Sequence, residues 1–214
     1  MKQLKIIALF ISLIGLNSCV QSQSQKNDFP VASTKPLPNE AVAYFSEGCF
    51  WHAEIIFQSL VGVRDAVSGY AGGTDAHPDY EKVATGKTGH AETVQVYYDP
   101  SKISYETLVK AFFASQDPTT MNRQGNDEGT EYRSIAFYSN DNEKKIIDAQ
   151  IKSLTDSKAY KNPIVTQVVP FAKFYKAEAY HQEYIHYNPT NGYVQNVSVP
   201  EYLEFKQTFK GNFK

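Results

Sequence analysis

Apolar residues recur along most of this chain in two rhythms, alternating within short runs and returning every three to four residues in longer ones. AVAYF, beginning at Ala41, predicts a strand, and the segment that starts near Cys49 and runs through IIFQSL predicts a helix, with Phe50, Phe57 and Leu60 at helical spacing. VRDAVSGY predicts a second strand, ended by AGGT, whose paired glycines mark a turn. ETVQVYYD alternates, is β-branched and stops at Asp99 and Pro100, which makes it a third strand. Ser104 is placed to cap SYETLVKAFFASQ, where Leu108, Phe112 and Ser115 mark one helical face. Further on, EYRSIAFYS predicts a strand, NEKKIIDAQIKSL a helix with Ile147, Ile151 and Leu154 inward, IVTQVV a strand and AEAYHQEYI a last helix. Strands and helices that mix without a regular βαβ rhythm predict an α+β fold, with helices packed on a mixed, largely antiparallel sheet.

The beginning of the chain breaks these rhythms. MKQLK is a short basic start, and the apolar run IIALFISLIGL that follows is shorter than the ~20 residues a bilayer span needs, so residues 1–18 read as a secretory signal. Leu16, Asn17, Ser18 and Cys19 resemble a bacterial lipobox, in which the cysteine is acylated and becomes the first residue. From Val20 to Glu40 the chain is VQSQSQKNDFPVASTKPLPNE, with little to bury, and reads as a tether reaching ~25 Å as a coil and ~70 Å at full stretch. The expected organisation is a signal at 1–18, a lipidated cysteine and tether at 19–40, and one catalytic domain at 41–214. A monomer is expected, lipid-anchored in a bacterial cell envelope and facing away from the cytoplasm.

Composition fits one sizeable core, with 42% hydrophobic and 21% charged residues in 214. The net charge of -2 becomes about -4 once Lys2 and Lys5 leave with the signal, which argues against nucleic acid as a partner. The 15 tyrosines supply phenols that need hydrogen-bond partners wherever they are buried.

Candidate chemistry begins with the two cysteines, Cys19 and Cys49. With Cys19 lipidated, Cys49 is a lone thiol in an oxidising compartment, where a bystander thiol tends to be modified. Gly48 allows a tight turn, and Cys49 then falls at a helix N-terminus, where free amides and the macrodipole favour a thiolate. A buried, inert cysteine is the plain alternative. Glu92 follows a glycine-rich turn, and the loop RQGNDEGTEYRS, bracketed by Gly125 and Gly129, leads into the strand expected to carry Tyr132. Taken singly, each fits an ordinary surface or core residue. His181 and His186, five apart, do not share a helical face, and no metal site is expected.

In combination these segments point further. GCFWHAE, PDYEKVATGKTGHAE and QGNDEGTEYRS resemble, in order, the signature segments of the A-type peptide methionine sulfoxide reductases. YDPSKISYETLV and AEAYHQEYIHYNP extend the resemblance more loosely, over about Tyr44 to Pro200. It implies that family's two-layer α+β sandwich and an enzyme that reduces methionine-S-sulfoxide, free or in proteins, with no bound cofactor. It also implies Cys49 as nucleophile, Glu92 as acid, Tyr80 and Tyr132 as the phenols that hold the sulfoxide oxygen, Phe50 and Trp51 as the apolar wall for the methyl group, and Asp127 as a supporting carboxylate. The residue types suit the reaction, because a sulfoxide oxygen leaves poorly unless protonated, and an aromatic cleft keeps a carboxylic acid neutral. Attack by the thiol would leave methionine and a Cys49 sulfenic acid.

The sequence also departs from the family pattern. NPTNGYVQN places Val194 where many members carry a recycling cysteine, and no cysteine follows. An external thiol, thioredoxin-like or another dithiol, is therefore expected to clear the sulfenic acid. His52 stands where a small residue is common and is expected to be exposed, and Glu128 stands where a histidine is often found. Two other readings remain open: a thiol hydrolase pairing Cys49 with His90, oriented by Asp127 or Glu92, and a lipid-anchored solute- or peptide-binding module walled by Trp51 and the tyrosines.

Overall fold

The computed structural model describes residues 35–214; the signal at 1–18, the lipid attachment at Cys19 and most of the tether lie outside the described residues. β1 (Ala41–Ser46) runs into α1 (Phe50–Gln58), and β2 (Val63–Ala71), a single-turn α2 (Tyr80–Val83) and β3 (Ala91–Tyr98) follow. The Ser104 hydroxyl accepts from the Thr107 amide and starts α3 (Tyr105–Ala114), as its position before the apolar stripe predicts. A two-residue hairpin comes next, β4 (Arg123–Gln124) and β5 (Asp127–Glu128), then a 3-10 turn at Thr130–Tyr132 and β6 (Ile135–Tyr138). α4 (Asp141–Asp156) is capped by Asn140, whose side chain accepts from the Glu143 amide. β7 (Gln167–Pro170), β8 (Phe174–Lys176), a 3-10 turn at Ala179–His181, α5 (Tyr184–Tyr187), a π-helical turn at Val194–Ser198 and α6 (Val199–Thr208) complete the order.

Six strands form one sheet in the order β7-β6-β1-β3-β2-β8, antiparallel throughout except for the parallel β6–β7 pair. Side chains alternate between its faces. Ala43 and Phe45 of β1 and Val94 and Val96 of β3 join the large core with α1 and α3, where Phe45 meets Phe57 and Phe112 at ring distances of 5.0 and 5.1 Å. Tyr44 turns to the other face and stacks on Phe171 at 3.6 Å beside a smaller cluster of Ala71, Ala91, Ile135 and Phe137. The same alternation decides the chemistry: Glu92 shares the face of Val94 and Val96, so it points towards α1. This is the expected α+β sandwich.

Four local expectations are corrected. AEAYHQEYI is not one helix: after Ala179–His181 the chain breaks at Gln182, passes through a left-handed Glu183 (φ 51°) and resumes as α5. The reason is tertiary capture of the backbone, since the Gln182 amide side chain donates to the Ser68 and Ala177 carbonyls and accepts from the Ser68 amide, while Glu54 accepts from the Glu183 amide. Tyr132 ends a 3-10 turn instead of lying in a strand, because its amide donates back to the Gly129 carbonyl at 3.1 Å and β6 begins only at Ile135. His52 is buried, not exposed, with its Nε2 3.3 Å from the Ser115 carbonyl at the end of α3. IVTQVV starts its strand only at Gln167, and α6 was not predicted.

Candidate active site

Gly48 makes the junction between β1 and α1. Its φ of 96° lies in the left-handed region, and a Cβ there would sit 2.6 Å from Gln124, so both the turn and the packing of the β4–β5 hairpin against it require glycine. Cys49 follows as the N-cap residue of α1, with extended backbone and no side-chain cap bond. Helix N-termini leave amides unsatisfied. Here the first of them, on Phe50, is taken by a residue 42 positions away: Glu92 Oε2 accepts from Phe50 N at 2.9 Å. The nearby amides of Trp51 and His52 favour an ionised Cys49, the latter while donating to the Cys49 carbonyl at 3.1 Å.

Electrostatics at the thiol run against the sequence expectation of a thiolate. Burial, with Cys49 only 9% exposed, pushes its proton affinity well above the ordinary range, and the charges of Glu92 and Asp127 add to the rise. The two helix amides pull the other way and lose. Glu92 is also held neutral: burial, reinforced by Asp127 and Glu131, raises its pKa to about 8 against the opposing Phe50 hydrogen bond. The cleft at rest therefore holds a thiol beside a carboxylic acid.

Two predicted phenols close on this pair. Burial raises the Tyr80 pKa to about 12, with Glu92 and Cys49 contributing. Tyr132 is held protonated by burial first, and the charges of Glu92, Tyr80, Cys49 and Asp127 act in the same direction. Asp127 on β5 faces the cleft and accepts from the Tyr193 hydroxyl at 2.5 Å. Thus the structure brings together Cys49, Glu92, Tyr80, Tyr132 and Asp127. Phe50 is buried to 1%, whereas Trp51 beside it is half-buried. The Trp51 ring stacks on Tyr184 at 3.7 Å, and its Nε1 donates to His181 Nδ1 at 3.1 Å.

Tyr193 is the cleft residue that the sequence reading missed. Its hydroxyl donates to Asp127, and its proton affinity is raised by burial and by the neighbouring Cys49 and Asp127. The signal lay in NPTNGYVQN, where Asn191 turns the chain inward by accepting from the Tyr193 and Val194 amides at 2.9 and 3.2 Å. His90 lacks the geometry of a base for Cys49. Its Nδ1 accepts from the Gly73 amide at 3.1 Å and its Nε2 lies 2.9 Å from the Asp75 carbonyl, so neither nitrogen is free for the thiol. This removes the pair on which a hydrolase reading depended.

Known proteins resemble this chain over most of its described length. The family model described as peptide methionine sulfoxide reductase matches residues 41–212. The peptide methionine sulfoxide reductase MsrA 1 of Rhodopirellula baltica is 45% identical over 187 residues, covering 87% of this chain and 96% of the relative. That of Deinococcus radiodurans is 40% identical over 196 residues, covering 92% and 95%. Among solved structures, reduced Mxr1 of Saccharomyces cerevisiae superposes with a TM-score of 0.66 at 34% identity, over 73% of this chain and 91% of that one. Methionine sulfoxide reductase A of Corynebacterium diphtheriae gives 0.65 at 34%, over 72% and 78%. The chain therefore belongs to the peptide methionine sulfoxide reductases, oxidoreductases that return methionine sulfoxide to methionine.

Proposed function

We propose that the chain reduces the S epimer of methionine sulfoxide, free or in proteins, through a sulfenic acid on Cys49, and that it repairs oxidised proteins of a bacterial envelope. The observation that carries the mechanism is the Glu92–Phe50 hydrogen bond, which seats a neutral carboxylic acid at the N-terminus of the helix that presents the thiol. Trp51 and Phe50 receive the substrate's methyl group, and Tyr80 and Tyr132 donate hydrogen bonds to its oxygen. Cys49 attacks the sulfoxide sulfur as Glu92 gives its proton to the oxygen, and the Glu92 carboxylate then takes the thiol proton. In net terms one oxygen passes from the substrate sulfur to Cys49 Sγ. The methionine sulfur gains the two electrons that Cys49 loses, and Glu92 ends protonated as it began.

Val194, fully buried at the head of the π-helical turn, occupies the place where the resemblance would put a recycling cysteine, and Cys49 is the only cysteine among the described residues. An external thiol, thioredoxin-like or another dithiol, therefore attacks the sulfenic acid, releases water and forms a mixed disulfide that a second thiol resolves. The lipobox-like run ending at Cys19 supports membrane anchorage of a monomeric catalytic domain at 41–214, carried on the tether at 19–40. Radiolabelled palmitate should enter the chain in cells and not enter Cys19→Ser; equal labelling of both would refute the anchor.

The reaction is tested by single turnover. Incubated without reductant with each separated epimer of a methionine sulfoxide peptide, the enzyme should yield about one equivalent of methionine from the S epimer alone, with a dimedone adduct on Cys49. A reduced, folded enzyme that yields methionine from neither epimer would sink the proposal, as would undiminished turnover in Cys49→Ser.

A further inference from the structure

Glu178 lies between β8 and the Ala179–His181 turn and takes no part in the steps above. Each of its carboxyl oxygens accepts one hydrogen bond: Oε2 from the Tyr70 hydroxyl at 2.8 Å, and Oε1 from the Tyr80 backbone amide at 3.0 Å. Tyr80 opens α2, a helix of four residues whose N-cap bond, from Asp79 to the Lys82 amide, leaves the Tyr80 amide unserved. The chain from Gly72 to Asp79 that leads into it contains no helix or strand. One turn of helix after an irregular loop has little of its own to fix its first residue. Tyr70, by contrast, sits inside the sheet, 1% exposed and directly opposite Glu92 in the β2–β3 register.

We propose that Glu178 is a positioning residue that ties the Tyr80 backbone, through Tyr70, to the β2–β3 pair carrying Glu92, so that phenol and acid keep a fixed separation at the sulfoxide oxygen. The inference rests on the reading of Tyr80 as an oxygen-handling phenol. It requires two hydrogen-bond contacts and no negative charge. A glutamine would serve, its carbonyl accepting from the Tyr80 amide and its amide donating to a Tyr70 hydroxyl turned to accept.

The test is single-turnover kinetics of the full chain on an S-sulfoxide peptide, with variants at three positions. Glu178→Ala should lower the rate constant for methionine formation about 10- to 100-fold while leaving the half-saturating peptide concentration nearly unchanged. Glu178→Gln should recover to within about threefold of the parent. In a Tyr80→Phe background, where no phenol remains to be placed, Glu178→Ala should cost less than about twofold. An equal loss in both backgrounds overturns the proposal. If Tyr80→Phe alone leaves the rate unchanged, the reading of Tyr80 is what fails, and the positioning role falls with it. Should Glu178→Ala not fold, Tyr70→Phe removes the strut alone; it should slow the reaction only while the Tyr80 hydroxyl is present, and an unchanged rate refutes the link.

Discussion

The Phe50 amide favours an ionised Glu92, and burial opposes it; burial prevails because Glu92 is only 3% exposed and Asp127 and Glu131 add negative charge nearby. In the proposed reaction, the proton it holds up to about pH 8 is the one given to the sulfoxide oxygen. The sign follows: protonated acid is present below that pH and lost above it, and the Cys49 thiol, raised well above its ordinary range, offers no compensating thiolate near neutrality. The single-turnover rate should be level below neutrality and decline by about tenfold per unit once the pH is well past that of Glu92. Glu92→Gln should cost about 10²–10⁴-fold and lose this alkaline limb. A wild-type rate that climbs through pH 8 to 9 would assign control of the step to thiol ionisation instead.

At the scale of elements, the cleft depends on segments with almost no regular structure. The strap from Ala177 to Tyr187 supplies His181 and Tyr184 behind Trp51 and is pinned to β2 by the Gln182 side chain and to α1 by Glu54. Gln182→Ala would leave the buried Ser68 amide and carbonyl without these partners, at a cost of roughly 1–3 kcal/mol in denaturant unfolding. Trp51 is the only tryptophan, so its fluorescence reports the strap directly. The emission should move to the red as the strap loosens. An unshifted spectrum with unchanged stability would mean that the strap is held by its rings alone. This segment also marks the limit of what the sequence discloses. AEAYHQEYI does carry helical spacing, but Ser68, which the Gln182 side chain grips at both amide and carbonyl, lies 114 residues away, and no local pattern records it. Where local chemistry decides, as at the Ser104 cap or in the alternation that puts Glu92 beside Val94, the sequence is legible. Resemblance places Tyr132 in the site while periodicity extends the following strand over it, and the sign of Tyr193 is the Asn191 turn two residues before it. α6 carried a usable sign in Pro200, at the second position of the helix, followed by Tyr202, Phe205 and Phe209 at helical spacing.

For the molecule as a whole, burying titratable groups sets how stability responds to pH. Glu92 and Glu54 hold their protons to about pH 8 in the folded state against an ordinary value of 4.5, and Glu47 is shifted in the same direction by burial. Between those pH values the native chain keeps protons that the unfolded chain releases, so these carboxyls make stability fall as pH rises, by about 1.4 kcal/mol per pH unit for each proton. His52 and His181 act oppositely. Burial lowers both to about 4 from 6.5, so across that interval the unfolded chain binds protons the native one refuses, and stability rises with pH. Over pH 4.5 to 6.5 the two histidines offset two of the three carboxyls; above 6.5 the histidines are neutral in both states and only the carboxyls remain. The melting temperature should therefore decline gently on the acid side of neutrality and drop more steeply between pH 6.5 and 8. Glu54→Gln and Glu92→Gln should each flatten that drop by about one proton's share, additively, because the two carboxyls contact different partners, Glu183 and Ser68 for one and Phe50 for the other. A melting temperature that rises from pH 6.5 to 8, or a slope unmoved by either substitution, would show that these carboxyls are already ionised in the folded enzyme, and the acid assigned to Glu92 would have to come from elsewhere.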